Sequence, residues 1–231
     1  MTEESTGNTR PERRGSLLAR WLLHLPEGLM VLLGVMLAFL MEEYREDRER
    51  EQLAAAAMQR VNLEAASNFR EVIAMHAITR ERLGRLESLK PDVDRSVPFI
   101  KLIPGFTGYS LLQTDRSAWS GMQLGSYFDK VPHAYLTDVF LIYDSNEVLK
   151  SLDGKIRDLA FGPDVHDPAM SATVWAVSRM IMEQQVTWGS EAIPIYCRFL
   201  EEWAPELYAR RQDERRQVME QDMPSFREAC S

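Results

Sequence analysis

The chain has 231 residues, of which 35 are acidic and 27 are basic, and its net charge is −8. A nucleic-acid-binding protein needs a basic surface, and here the basic residues are mixed with acidic ones everywhere except in the N-terminal arm. The composition therefore excludes a nucleic-acid partner. Once roughly forty N-terminal residues are set aside, the remainder is long enough for one hydrophobic core, so we expect one modest domain.

The first segments are a polar arm and a short amphipathic helix. Residues 1–15 are predicted to be a disordered basic and polar arm. In residues 16–25, four leucines and Trp21 fall on one stripe of a helix, whereas Arg20 and His24 fall together elsewhere. Tryptophan and arginine are typical of the lipid headgroup region, so this segment is predicted to lie in a membrane interface, with Arg20 and Trp21 as interfacial residues.

The most informative feature is the uncharged apolar run GLMVLLGVMLAFLM at residues 28–41. As a helix it rises about 21 Å, which is short of the roughly 30 Å hydrocarbon core of a bilayer, but the upstream residues extend it. We predict a membrane span at residues 26–44, with Tyr44 at the far interface. Gly34 and Ala38 have the small-x-x-x-small spacing that lets two spans approach closely. The residues predicted to be membrane-embedded are Leu29, Val31, Leu33, Val35, Leu37 and Phe39.

The apolar run has three other possible interpretations. Runs of this length also occur as buried helices of soluble proteins, as purely interfacial helices and in cleaved signal peptides. A signal peptide is disfavoured because no small-x-small cleavage site follows Met41 directly. Four arginines precede the run and three follow it closely, so the positive-inside rule favours a cytoplasmic N-terminus. This predicts a single-pass protein of a cytoplasmic (inner) membrane with its body outside.

A charged collar and the first long bundle helix are predicted at residues 45–90. His76 falls on the apolar stripe of this helix and is interpreted as a hydrogen-bonded core or boundary histidine. Glu64 and Glu71 are predicted to lie on a solvated face, since no E-x-x-H motif pairs with either as in di-iron bundles. The collar and stripe could also form a parallel coiled coil. The stripe consists of Met58, Val61, Ala65, Phe69, Val72, His76, Leu83 and Leu86.

Residues 91–222 are predicted to complete a helical bundle, followed by a tail at residues 223–231. A connecting segment rich in proline and glycine leads to the motif TDRSAWSGMQLG, where Thr114 or Asp115 is a plausible helix N-cap. A second long helix is expected to begin at Pro132 and to end at the Gly-Pro pair of residues 162–163.

A third long helix is expected from residue 172 to residue 203, kinked or split at Gly189 and Pro194. Its candidate core positions are Val174, Val177, Ile181 and Trp188. The charged stretch LYARRQDERRQVMEQ that follows is predicted to be a solvated terminal helix.

Residues with catalytic or metal-binding potential are scattered rather than grouped. Asp164, His166 and Asp167 share the loop PDVHDP, where turn chemistry explains them without a metal. Cys197 and Cys230 lack metal-ligand spacing and are expected to be two separate thiols, although they could pair in an oxidising compartment. Phosphate-binding loops, nucleophile elbows and zinc motifs are missing from the sequence. We therefore predict no catalytic residue, no metal and no cofactor, and a protein that is not an enzyme.

Three stretches resemble a group of bacterial proteins: EGLMVLLGVMLAFLMEEYREDRER, SAWSGMQLGSYFD and LTDVFLIYDSNEVL. The chain is similar to bacterial single-span membrane proteins of unknown function, which have a short N-terminal span, a charged collar and a helical domain with an A-W motif. It departs from them at residues 42–44, where an Asp-x-Trp-like step is common, and at Pro132, which interrupts the motif's spacing. The resemblance implies the architecture and no activity.

Together these patterns predict an all-α protein in which a short N-terminal membrane helix continues into a long helix that packs in a helical bundle. The favoured function is a membrane-anchored helical interaction or scaffold protein. Its expected partners are the lipid membrane and a second copy or another protein that contacts its long helices. One alternative is a membrane-tethered helical domain that senses a ligand between its helices. Another is an enzyme whose site is not visible in the sequence.

Overall fold

The computed structural model describes residues 15–89, 97–102, 112–208 and 230, with side chains described from residue 28 onward. The described residues form five α-helices and three short 3-10 helices, and they contain no strand, which confirms the all-α prediction. The chain divides into two compact units, residues 1–51 and 52–231. The α-helices are α1 (Gly15–Ser88), α2 (Phe99–Leu102), α3 (Ser117–Gln123), α4 (His133–Phe161) and α5 (Ser171–Trp203). The 3-10 helices are Phe128–Lys130, Pro163–His166 and Pro168–Met170.

Helix α1 is continuous from Gly15 to Ser88, so it includes the segments predicted at residues 16–25 and 26–44 and the segment predicted at 45–90 as far as Ser88. In the charged collar, acidic and basic side chains pair at helical spacing, as in the 2.9 Å contact of Arg45 with Glu42. Because these pairs are exposed, each stabilises the helix by only about 0.2–0.5 kcal/mol. Among the described residues, no helix combines the length and the apolar content that a membrane crossing requires.

In the second unit, α1, α4 and α5 pack together. As residue numbers rise along α1, the contacted residues of α5 fall, from Trp203 beside Asn62 to Ser190 beside His76. These two helices are therefore antiparallel. In the contacts between α1 and α4, the residue numbers of both helices rise together, from Met58 with Tyr135 to Glu64 with Tyr143. These two helices are therefore parallel. A parallel pair requires the long crossover that carries α2 and α3.

The bundle core consists of two apolar clusters. The first joins the α1 stripe to the first halves of α3 and α4 and the last part of α5. The second gathers Leu86, Phe99 and the inward-facing residues of later α4 and early α5. The stripe prediction is confirmed, because Val61 and Val72 are fully buried. Since the stripe packs in the chain's own core, it is not available to form a coiled coil with a second copy.

The predicted end of the second long helix is confirmed, since α4 stops at Phe161 and Gly162 is its C-cap. Of the kink or split predicted at Gly189 and Pro194, the split was wrong, because α5 is one continuous helix. Pro194 lies on the exposed side of α5, so its ring faces away from the core. Val174 and Ile181 are buried as predicted, but Trp188 is 39% exposed and is not a core residue.

The expectation of two separate thiols was also wrong. Cys197 of α5 and Cys230 form a disulfide across 33 positions of sequence, with their Cα atoms 5.9 Å apart. Cys197 is buried against the first apolar cluster, and Cys230 packs on the same cluster. Cys230 therefore lies against the bundle, which its position near the end of the sequence did not indicate.

Candidate functional site

Two features have functional potential: an exposed apolar surface in the first unit and a buried polar network in the second. The apolar surface is the run at residues 28–41, in which every residue is exposed. Apolar area in water costs about 25 cal/mol per Å², and contiguous patches of this kind usually mark an interaction surface. Its eleven large exposed side chains are Leu29, Met30, Val31, Leu32, Leu33, Val35, Met36, Leu37, Phe39, Leu40 and Met41.

All six residues predicted to be membrane-embedded lie on this surface, and their exposure ranges from 47% at Leu33 to 71% at Phe39. Gly34 and Ala38 lie one turn apart on the same face of α1, and a Cβ atom added at Gly34 would meet nothing within 4 Å. Both positions are thus open to a close neighbour. Because the side chains described begin at residue 28, those of the predicted interfacial pair at 20 and 21 lie outside the described residues.

Tyr44, the other predicted interfacial residue, lies at the start of the collar and is 61% exposed. Its hydroxyl accepts a hydrogen bond of 3.0 Å from Nε of Arg48, one turn later on α1. The guanidinium carbon of Arg48 also lies 5.4 Å from the centre of the Tyr44 ring. The hydrogen bond with Tyr44 raises the pKa of Arg48 most, followed by the electrostatic interactions with Tyr44 and with Glu51.

The polar network of the second unit is centred on Glu64, which is only 8% exposed. Its Oε2 accepts a hydrogen bond from the backbone N–H of Ala118 at 2.7 Å and from Oγ of Ser117 at 3.1 Å. Its Oε1 accepts from the Tyr143 hydroxyl and, at 3.4 Å, from the backbone N–H of Trp119. The carboxylate thus occupies the N-terminus of α3, where helices leave N–H groups without intrahelical partners.

The solvated-face interpretation of Glu64 was therefore wrong. Periodicity places Glu64 off the apolar stripe, but the N-terminus of α3 and the side chain of Tyr143 on α4 cover it. The A-W motif now has a structural explanation, because the N–H groups of Ala118 and Trp119 both meet the carboxylate. Trp119 is fully buried and stacks on Tyr143, with ring centres 5.9 Å apart.

A second polar side chain of α1, Asn68, lies one turn beyond Glu64 and binds the backbone of Asp115, just before α3. Its amide donates to the backbone carbonyl of Asp115 and accepts from the Asp115 N–H, both at 2.8 Å. The Asp115 carboxylate accepts from the N–H groups of Arg116 and Ser117 in the turn before α3. These backbone hydrogen bonds lower the pKa of Asp115. The N-cap residue of α3 is Arg116, which makes no side-chain cap hydrogen bond, so the prediction of Thr114 or Asp115 as the N-cap was wrong. The other N-cap candidate, Thr114, has a buried hydroxyl without a partner among the described residues.

Other buried polar groups tie α1, α4 and α5 together. The Tyr135 hydroxyl donates to the carboxamide of Asn62 at 2.9 Å, and Asn62 donates to the Trp203 carbonyl at 2.8 Å. The Tyr196 hydroxyl donates to Oδ1 of Asn146 at 2.9 Å. Burial raises the pKa of the Tyr135 and Tyr196 hydroxyls, so both stay protonated and act as donors at neutral pH.

The chemistry of the network indicates support of the fold rather than catalysis. Each oxygen of Glu64 already accepts hydrogen bonds from the protein, which leaves no lone pair directed at open space. Burial raises the pKa of the Tyr143 hydroxyl above its ordinary value, and its hydrogen bond to Glu64 adds to this, so it remains a donor rather than a nucleophile. Such fully paired buried polar groups rigidify and specify a core.

A serine and a histidine also lie within hydrogen-bond distance. Nε2 of His76 is 3.1 Å from Oγ of Ser190, which confirms His76 as a hydrogen-bonded boundary residue. The Ser190 hydroxyl donates its proton to the Val186 carbonyl at 2.9 Å, so the histidine donates to the serine in this arrangement. Burial, followed by the positive charge of Arg80, lowers the pKa of His76. The pair lacks the base-to-serine geometry of a nucleophilic site.

The loop with Asp164, His166 and Asp167 forms two 3-10 helices, and the Asp167 carboxylate accepts from the Ala169 N–H at 2.9 Å. Within the described ranges, no three histidine, cysteine, aspartate or glutamate side chains are grouped so that they could hold a metal ion. Turn chemistry accounts for Asp167.

Comparison with known proteins adds no family for this chain. No protein-family model, no curated protein and no solved structure matches it. Its function has to be argued from its own residues.

Proposed function

We propose that this chain is a membrane-anchored helical interaction protein of the bacterial cytoplasmic membrane. In this proposal the run at residues 28–41 is buried in lipid, and the helical body acts as a scaffold for protein contacts. The observation that carries the proposal is the continuous exposure of eleven large apolar side chains on one helix. A soluble protein rarely leaves a contiguous surface of this kind in water.

The proposed span is shorter than a standard bilayer core. The apolar run at residues 28–41 rises about 21 Å as a helix, and the predicted segment 26–44, which includes Glu27, Glu42 and Glu43, rises about 28 Å, against a hydrocarbon core of roughly 30 Å. Bilayers thin locally around a short apolar segment at modest cost. The continuity of α1 from Gly15 supports the proposal, because lipid requires every backbone polar group to be bonded within the segment.

The disulfide supports an orientation with the body outside the cytoplasm. Disulfides persist in oxidising compartments such as the bacterial periplasm and are rare in the cytosol. The Cys197–Cys230 bridge belongs to the second unit, so the body would lie on the oxidising side. The excess of arginines before the run favours the same orientation, with the N-terminal arm in the cytoplasm.

A matched pair of arginine substitutions on α1 tests the anchor. Leu33 and Leu63 are 47% and 50% exposed, but only Leu33 lies in the apolar run. A charge at mid-span costs about 2.5–3.5 kcal/mol on insertion scales, so Leu33→Arg should reduce membrane partitioning about a hundredfold. After an alkaline wash, wild type and Leu63→Arg should stay in the membrane fraction and Leu33→Arg should be released. Retention of Leu33→Arg at the wild-type level would refute the anchor.

Protease added to intact spheroplasts tests the orientation. The proposal expects digestion of the body from outside, while the N-terminal arm stays protected. Protection of a membrane-bound body would reverse the orientation, and a soluble wild-type protein would overturn the membrane proposal altogether.

We also propose self-association through the face of α1 that carries Gly34 and Ala38. Their small side chains permit close helix approach, and close packing drives helix association in lipid. Gly34→Ile should therefore convert the detergent-solubilised protein to a smaller species in a light-scattering mass measurement. Gly28→Ile is the control, because Gly28 is equally open but lies on a different face. An unchanged mass for Gly34→Ile would remove this contact.

A further inference from the structure

A buried polar layer lies between the two apolar clusters of the helical body. It consists of Thr79 on α1, Asp153 on α4 and Gln185 on α5, which are 4%, 5% and 0% exposed. The first apolar cluster contains α1 residues up to Met75, and the second contains Leu86. Each of the three long helices thus turns a polar side chain inward near this level, where neighbouring turns are apolar.

The register of the helices brings these three residues to one level. His76 meets Ser190, and the Leu86 carbonyl accepts from the Trp175 indole, so the intervening Thr79 faces α5 near Gln185. On α4, Asp153 lies close enough to Arg82 for that charge to act on its carboxyl group, and Arg82 follows Thr79 by three positions. The polar layer therefore spans about one helical turn, or about 5 Å.

The hydrogen-bonding capacity of the polar layer is only partly used within the protein. Oδ2 of Asp153 accepts from the Leu112 N–H at 3.3 Å. Among the described residues, Oδ1 of Asp153 and both polar atoms of the Gln185 amide have no hydrogen-bond partner. Native proteins pair nearly all buried polar groups, and ordered water supplies the partner where protein atoms do not.

We propose that the polar layer is a binding site for ordered internal water. A water molecule donates two hydrogen bonds and accepts two, so it can donate to Oδ1 of Asp153 and Oε1 of Gln185 and accept from the Gln185 amide nitrogen. Two free acceptor oxygens beside an N–H₂ group with two donors suit water, which both donates and accepts, and the described residues place no group of three metal-ligating side chains here. The close-packed clusters on both sides favour a guest no larger than water. The proposal does not depend on the membrane anchor.

Adjacent glutamines on α5 provide a matched experiment. Gln185→Met replaces the buried amide with an apolar side chain of similar shape, and Gln184→Met makes the same change at an exposed position. In the full-length protein in detergent, Gln185→Met should raise the unfolding equilibrium constant about tenfold, because the water loses partners and Asp153 is left unpaired. Gln184→Met should leave this constant unchanged.

Oxygen-17 relaxation dispersion, which counts long-lived internal waters, supplies the second readout. The difference between wild type and Gln185→Met cancels the contribution of detergent, and the proposal expects the variant to hold fewer such waters. A variant that is more stable than wild type would show that the Gln185 amide is an unpaired group without a guest. An unchanged water count would overturn the proposal even if stability falls, because the amide would then act through packing alone.

Discussion

Replacing Glu64 by glutamine should destabilise the helical body strongly. The carboxylate accepts hydrogen bonds from Ala118 and Ser117 on one oxygen and from Tyr143 on the other. A glutamine amide has one oxygen, so its N–H₂ group must face donors on one side, and at least one of them loses its acceptor. Hydrogen bonds to charged groups contribute about 1.5–3 kcal/mol each, and a buried donor without a partner adds to the loss. We expect Glu64→Gln to lower the free energy of unfolding by about 3–5 kcal/mol.

Urea unfolding of the detergent-solubilised protein, followed by tryptophan fluorescence, measures this loss, since Trp119 is stacked on Tyr143. For a domain of this size, about 3 kcal/mol corresponds to a fall of roughly 6–12 °C in Tm. Glu71→Gln is the matched control, seven residues further on the same helix at a half-buried position, and should change stability by less than about 0.5 kcal/mol.

Tyr143→Phe completes a double-mutant cycle with Glu64→Gln. If the two groups share one hydrogen bond, the double variant should lose about 1–3 kcal/mol less than the sum of the single losses. If Glu64→Gln were as stable as Glu71→Gln, the inference that the Glu64 carboxylate stabilises the contact between α1 and the N-terminus of α3 would be refuted. Additive losses would refute the direct bond between Glu64 and Tyr143.

Three further outcomes can be measured in the same unfolding assay. Cys197→Ser should lower stability by about 3–4 kcal/mol, the chain-entropy value for a closed loop of this length, and dithiothreitol should do the same to wild type. Burial raises the pKa of Asp153 when the protein folds, so wild-type stability should fall as pH rises above the ordinary aspartate range, and Asp153→Asn should abolish that fall. Gly189→Ala should cost about 1–3 kcal/mol, because the new Cβ would lie 2.8 Å from the His76 ring. Gly154→Ala meets open space and should gain about 0.5–1 kcal/mol of helix propensity. Equal effects of the two glycine substitutions would contradict the packing at His76.

The long helices could be predicted from the sequence because their signals are local. Apolar residues recur at threes and fours along α1, and Gly162 with the proline after it marks the end of α4. The turn at Asp115 is equally local, since an aspartate carboxylate reaches the N–H groups of the next two residues, although the N-cap of α3 lies one residue later than predicted. These features need no knowledge of which helix lies beside which.

The polar network and the disulfide could not be predicted because they join distant parts of the chain. Glu64 meets groups 53 to 79 positions away, and periodicity on its own helix indicates only that it lies off the apolar stripe. Cys230 pairs with Cys197 across 33 positions of sequence, and no local pattern indicates that contact. Trp188 was wrongly assigned to the core for a related reason: a three-to-four spacing fits more than one face of a long helix.

The parallel arrangement of α1 and α4 explains why this bundle needs buried polar contacts at all. Antiparallel neighbours joined by a short loop have their register fixed by the loop, but α1 and α4 are joined by a crossover of more than forty residues. Two apolar helix faces can slide by a turn at little cost, whereas a one-turn shift would separate the Glu64 carboxylate from Tyr143 and from the N-terminus of α3 at once. Leaving those groups unpaired in the core costs several kcal/mol, so the network favours a single register. The A-W motif and the buried glutamate therefore form one contact, and a change in either should weaken the packing of the crossover against the bundle.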